Sequence, residues 1–342
     1  MGDASTPRQM VKALLQGATP SRPLLVPVIF SLGARLQNLP LPHFLANPTK
    51  IVNALRQIHS VLKVDGLACY FDPFLEAVAL GCKREWHGDG TCTIASPSCL
   101  SVDELRERMK PTIGLSGAGH IPVACEVLRR LKTMLKDEPA LMVRASGPLS
   151  LAAMLSSDRI KGASPPRDLI EFAAEAIASV SKSFAEAGAD IIFLAEDFLP
   201  DMSSEKLGWY GSLLAPIANV IRFYEALPLV SWGTTPPENL AALVDLSREC
   251  ALCPLLPADT DSLGSASHST QSAIALSVPT KAFYGDLESL QTPPSLPNLG
   301  LLTSLEDIPA TVDIKHLARG LDAIRGRFNL PRPVHETLAD PT

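Results

Sequence analysis

Eight short apolar runs, each the length of a buried strand, recur along this chain with amphipathic segments between them. They are Pro23–Phe30, Gly66–Phe71, Ala140–Ala145, Asp190–Ala195, Leu227–Trp232, Ala251–Leu256, Val278–Tyr284 and Leu299–Thr303. Most are continuous rather than alternating, the pattern of parallel strands covered by helices on both faces. The segments between them carry helical periodicity. Pro48–Leu62 brings Ile51, Leu55, Ile58 and Leu62 to one face, and Pro122–Leu135 does so with Val123, Val127, Leu131 and Leu135. Arg167–Ala187, Ser204–Ala226, Pro237–Cys250 and Asp313–Arg325 behave alike. Start signals agree: Asn47 before Pro48, Pro236-Pro237-Glu238, and Thr311 with Asp313.

Eight β-then-α units without a composition shift predict a (β/α)8 TIM barrel. The alternative is an open doubly wound sheet. That fold usually carries a glycine-rich phosphate loop after its first strand, and Ser31-Leu-Gly-Ala-Arg35 lacks the spacing. A single barrel is expected over residues 1–330. The stretch from about 75 to 120 breaks the alternation and reads as an inserted β element between strand 2 and helix 2, or a lid at the mouth. Residues 331–342 form a Pro-rich polar tail, expected to fray.

Hydrophobic residues make up 46% of the 342 and charged residues 19%, enough apolar material to exclude general disorder. A net charge of −6 without a basic run argues against a nucleic-acid partner. No run reaches the roughly 18 apolar residues of a membrane span, and the N-terminus is polar where a secretory signal needs an apolar block. The expected compartment is the cytoplasm. Seven Cys, an odd number spread along the chain, fit reduced thiols better than a disulfide framework.

Several segments together resemble the uroporphyrinogen decarboxylase superfamily, which includes the decarboxylase and corrinoid- or folate-linked methyltransferases. Phe71-Asp72 followed by Ala79-Leu80-Gly81 is similar to the family's strand-two Asp with its downstream Leu-Gly. Gly147-Pro148-Leu149-Ser150-Leu151-Ala152 looks like its G-P-x-[ST]-L-A turn after strand three. Tyr284-Gly285-Asp286-Leu287 resembles the turn after strand seven, and Pro297-Asn298-Leu299-Gly300 the N-L-G of the last strand. The departures are equally informative. The decarboxylases' Arg-rich segment after strand one has only Arg35 here, and their last-strand His corresponds to Leu301. The thiol-activating methyltransferases carry an H-x-C-G zinc motif after strand five; here Val230-Ser231-Trp232-Gly233 stands there. No zinc is expected at that position.

In such a barrel, function sits at the carboxyl ends of the strands. Asp72 closes the second strand; by resemblance it stabilises a cationic pyrrole or holds a substrate donor, against a plain loop-capping role. Glu196 and Asp197 close the fourth. Adjacent acids on a strand point opposite ways, so one faces the axis, and Glu196, nearer the strand, is favoured as general acid or base. Trp232, with Ser231 and Thr234, offers an aromatic face or plugs the core. Arg35, Ser146, Tyr284 and Asp286 complete the candidate substrate contacts. Arg144 reads as a structural ion-pair partner more than a substrate anchor. The Cys250-x-x-Cys253 pair lacks a second ligand pair and reads as two structural thiols. Cys82, Cys92 and Cys99 with His87 and His120 match no metal spacing.

A porphyrinogen carries many carboxylates and demands many cations at the mouth. The expected function is therefore methyl transfer, involving a corrinoid on a partner protein or a small methylated substrate. The alternatives are a decarboxylase acting through Asp72 and a non-catalytic tetrapyrrole- or corrinoid-binding barrel. The resemblance also makes a homodimer an expectation.

Overall fold

The computed structural model describes residues 5–18, 20–88, 91–98, 100–109, 115–136, 138–156, 164–199, 204–233, 237–258, 273–290 and 298–331. Thr234, Cys99 and the tail from 332 lie outside them.

Ten strands are present among the described residues: β1 (Leu24–Leu25), β2 (Gly66–Tyr70), β3 (Lys83–Trp86), β4 (Cys92–Ser96), β5 (Ala140–Ser146), β6 (Ile191–Ala195), β7 (Leu227–Ser231), β8 (Cys253–Pro257), β9 (Ile274–Ser277) and β10 (Leu299–Thr303). Eight of them form one parallel sheet in the order β1-β10-β9-β8-β7-β6-β5-β2, and β3 pairs with β4 antiparallel. The helices are α1 (Pro7–Leu15), α2 (Ser31–Leu36), α3 (Leu41–Leu45), α4 (Pro48–Leu62), α5 (Leu75–Ala79), α6 (Val102–Arg108), α7 (Ile121–Leu135), α8 (Pro148–Leu155), α9 (Arg167–Glu186), α10 (Ser204–Phe223), α11 (Pro237–Glu249) and α12 (Ile314–Arg327). Together they make a nearly closed (β/α)8 barrel. Asn47 and Asp313 accept from backbone N–H groups of α4 and α12, as capping residues should.

At the seam between β1 and β2, Asp65 substitutes for a ladder. Its N–H donates to the Leu25 carbonyl (3.0 Å), and its Oδ2 accepts from the Leu25 N–H (2.8 Å). Arg22 holds both carboxylate oxygens at 2.7 Å. Gly66 makes the close approach possible, since a Cβ there would lie 2.8 Å from Val26 Cγ2.

One strand lies elsewhere than the apolar runs predict. The seventh is β9, Ile274–Ser277, and the run expected there, Val278–Tyr284, contains the 3-10 helix Thr280–Tyr284. Pro279 explains the change: it has no N–H for a ladder and fixes φ ready for the turn.

Along each strand one parity faces the barrel axis and the other the helices. Ala140, Met142, Ile191, Phe193, Ala195, Leu227, Leu229, Leu255 and Leu301 fill the axis, joined at its amino end by Met10, Val11 and Leu14 of α1. That helix plugs the bottom, so the opposite end carries the opening. No helix among the described residues is long and apolar enough to cross a membrane.

Candidate functional site

The opening is a cavity of about 1140 Å³. Its wall is built from α2, residues 38–41, the loop after β2 with Phe71 and Phe74, Thr91 and Cys92 of the hairpin, Arg144, Asp197 and the loop after β10.

Arg144 and Asp197 are brought there by parity. On β5, Ala140 and Met142 point inward, and Arg144 follows in the same register. On β6 the inward series Ile191, Phe193, Ala195 continues to Asp197. Arg144 donates through Nη2 to Asp197 Oδ2. Its guanidinium lies 5.6 Å from the centroid of the Phe71 ring. The Arg144 side chain is 3% exposed, that of Asp197 63%. Behind Arg144, the buried Glu76 of α5 accepts at Oε2 from the Ser146 hydroxyl (2.9 Å). Burial pushes the Glu76 pKa up, and the nearby Arg144 charge pulls it back. Among the described residues, Arg144 Nη1 and Glu76 Oε1 find no hydrogen-bond partner.

Asp72 sits beside a smaller pocket of about 210 Å³ that it shares with Arg84, Trp86 and His120. Arg84 Nη2 reaches both carboxylate oxygens, at 2.7 and 2.6 Å, and Asp72 also accepts from the Phe74 N–H. Arg84 extends from β3 and lies between the Phe74 and Trp86 rings, with centroid distances of 5.8 and 5.2 Å. This arrangement cancels the charge of Asp72 inside the protein. Burial holds the neighbouring His120 below the ordinary imidazole range.

Glu196 points away from the axis. Its carboxylate accepts from the backbone N–H of Leu149 (3.1 Å) and Ser150 (2.8 Å), from the Ser150 hydroxyl (2.8 Å), and from the Tyr210 hydroxyl. It therefore satisfies buried N–H groups at the start of α8 that have no partner within the helix. Gly147 must lack a side chain for this, because a Cβ would fall 2.1 Å from Glu196 Cδ. The Gly-Pro-Leu-Ser turn and Glu196 are thus one structural unit. Burial pushes the Glu196 pKa up to about 7, opposed by the Tyr210, Ser150 and Leu149 hydrogen bonds.

Trp232 also faces the helices: it is buried, donates from Nε1 to Ser247 Oγ (2.9 Å), and packs edge-on to Tyr210. Tyr284 ends the 3-10 helix, and the exposed Asp286 follows it, so neither closes a strand. Arg35 reaches the cavity rim and donates to the Val312 carbonyl (2.7 Å). The expected set is therefore divided: Arg35 borders the large cavity, Asp72 the small pocket, Ser146 is buried against Glu76, and Glu196 and Trp232 belong to the outer shell.

Four contributors escape the sequence reading. Asp197 is weighed there but passed over for its neighbour. Glu76 and Arg84 go unnoticed, although an acid inside the apolar Leu75–Ala79 turn and a cation two residues from Trp86 are both visible signals. Asp307, in the loop after β10, accepts from the Phe30 and Ser31 N–H groups (2.8 and 2.7 Å), and burial pushes its pKa up to about 6.

The residues at the end of β7 do not suit a zinc ion, since Ser231, Trp232 and Gly233 offer neither thiolate nor imidazole. Among the described residues no three His, Cys, Asp or Glu side chains stand close enough to hold a metal. Cys250 and Cys253 are buried thiols that contact the Gly211 and Ala273 carbonyls, and burial pushes their pKa values up to about 11 and about 12.

The model of the family Uroporphyrinogen decarboxylase (URO-D) matches residues 6–209. No curated protein matches the sequence. Among solved structures, a methyltransferase from Methanosarcina mazei superposes with a TM-score of 0.74 at 17% identity, covering 95% of this chain and all of its own. A B12-independent methionine synthase from Shewanella sp. W3-18-1, in complex with selenomethionine, gives 0.50 at 14% identity over 81% of this chain and 88% of its own. At these identities the likeness is one of fold.

Proposed function

Because the chain belongs to the uroporphyrinogen decarboxylase family, we propose that it is an enzyme of the methyl-transferring kind, acting on a small methylated molecule bound in the large cavity. The carrying observation is the charge of the wall. Its described residues include two cations, Arg35 and Arg144, against three acids, Asp197, Glu306 and Asp307. A porphyrinogen polycarboxylate desolvated in such a cup would leave most of its charges unmatched, at several kcal/mol each. The Asp72 pairing points the same way. Stabilising a protonated pyrrole needs an uncompensated anion, and Arg84 already compensates this one.

Arg144 then orients the substrate in the cavity, with Phe71 and Phe74 providing apolar wall. The co-substrate is a corrinoid presented at the mouth by a partner protein, and no step is assigned to zinc. The fold shared with the Methanosarcina methyltransferase supports this reading.

The test offers the purified protein two substrates. With cob(I)alamin and a panel of small methylated amines, ethers and sulfides, methyl transfer to the corrinoid should appear as the change from the cob(I)alamin to the methylcobalamin spectrum. With uroporphyrinogen, carbon dioxide release should stay at the background rate. Enzyme-dependent carbon dioxide release without methylation of the corrinoid overturns the proposal.

A further inference from the structure

Among the described residues of the cavity wall, Arg144 is the cation that is buried, and its pairing is unusually lopsided. A guanidinium that is 3% exposed needs an anion in every state of the protein. Two are at hand. Glu76 spends its bonded oxygen on Ser146, and burial drives it toward the neutral form. Asp197 supplies the charge, but from a side chain 63% exposed, just beyond the end of β6, and through a single nitrogen. Water can solvate that carboxylate at little cost. Arg144 keeps an unpartnered buried Nη1, so its donors are under-satisfied.

We propose that Asp197 is a placeholder, and that Arg144 anchors a ligand bearing one carboxylate, which binds by displacing Asp197 from the guanidinium. A planar guanidinium favours a carboxylate that it can grip with more than one donor, and exchange of one carboxylate for another keeps the buried charge matched throughout. The ligand's body is apolar or aromatic, because Phe71 lies against the guanidinium and lines the cavity with Phe74. This deepens the proposed function by naming a substrate class. It rests on that reading in taking the same cavity as the substrate site.

Benzoate and its neutral isostere benzamide are suitable probes, titrated calorimetrically into the full chain. The wild type should bind benzoate at least about tenfold more tightly than benzamide. Asp197→Asn removes the competing charge and should tighten benzoate about tenfold while leaving benzamide unchanged. Arg144→Met should erase the discrimination. If that variant does not fold, Asp197→Asn decides alone. Equal or weaker benzoate binding by Asp197→Asn, or no preference for benzoate in the wild type, overturns the anchor. The corrinoid assay is read separately: benzoate exchange without methyl transfer keeps the anchor and removes the reaction, and methyl transfer without benzoate preference does the reverse.

Discussion

Two arginine–aspartate pairs stand at the same end of this barrel, and they differ in one property. In Arg84–Asp72, on the hairpin side, both side chains are sealed, 8% and 2% exposed. In Arg144–Asp197, on the β5–β6 side, the cation is sealed and the acid is in water. A sealed pair has nowhere to send either charge and acts as a fixed cross-link between the loop after β2 and the hairpin. A half-open pair can part. The motif Asp, which the resemblance nominates for chemistry, lies in the closed pair, and the less conspicuous Asp197 in the open one.

The strongest way to break this contrast is Arg84→Met. It strands the Asp72 carboxylate, and removing one partner of a buried pair costs about 3–5 kcal/mol. Urea denaturation should show that loss, and Asp72→Asn added to Arg84→Met should recover part of it. A drop below about 1 kcal/mol, the scale of a surface pair, would show that the hairpin does not depend on the cross-link.

Glu196 is a third spent charge, and its signature is pH dependence. Its folded pKa of about 7 lies above the usual 4.5, so between those values the folded protein holds a proton that the unfolded chain releases. Stability therefore falls as pH rises from about 4.5 to about 7, by roughly 3 kcal/mol, and stays lower above. Asp307, raised from 3.8 to about 6, slopes the same way over a lower window. Glu196→Gln cannot titrate, so its urea midpoint should lose the part of the slope between about pH 6 and 7. An unchanged slope would refute the assignment.

These cases show what the sequence could and could not tell. The eight apolar runs identify the barrel because burial on both faces leaves continuous Val, Ile and Leu. That same continuity hides which parity faces the axis. Glu196 versus Asp197 and Trp232 versus Ser231 are therefore one-residue ambiguities that only the folded sheet resolves. Asp72 is legible as a strand-end acid, but its partner lies twelve residues on, past α5 and on a hairpin whose strands, Lys83–Trp86 and Cys92–Ser96, have little apolar alternation. Tyr284 and Asp286 are displaced for a different reason: Pro279 turns an apolar run into a 3-10 helix.

Trp232 sharpens the parity argument at smaller cost. Trp232→Phe keeps the ring against Tyr210 and removes the Nε1 bond to Ser247, whose hydroxyl still donates to the Leu243 carbonyl at 2.7 Å. A loss of about 1 kcal/mol is expected, with benzoate binding unaltered. Altered binding would place the indole at the ligand.

The smallest stability effect belongs to Arg144→Met, and the small size is itself the diagnostic. Both acids that face Arg144 have an escape that Asp72 lacks. Asp197 is already largely in water, and Glu76, freed from the charge that lowers its pKa, takes up the proton that burial favours. Met fills most of the same apolar volume beside Phe71. The net loss should stay within about 1 kcal/mol, like that of an exposed pair, while benzoate discrimination disappears. A residue that is buried, charged, nearly dispensable for folding and indispensable for binding holds its place for what enters the cavity. A destabilisation matching that of Arg84→Met would instead put both pairs in one structural class and remove the distinction drawn between the two sides of the mouth.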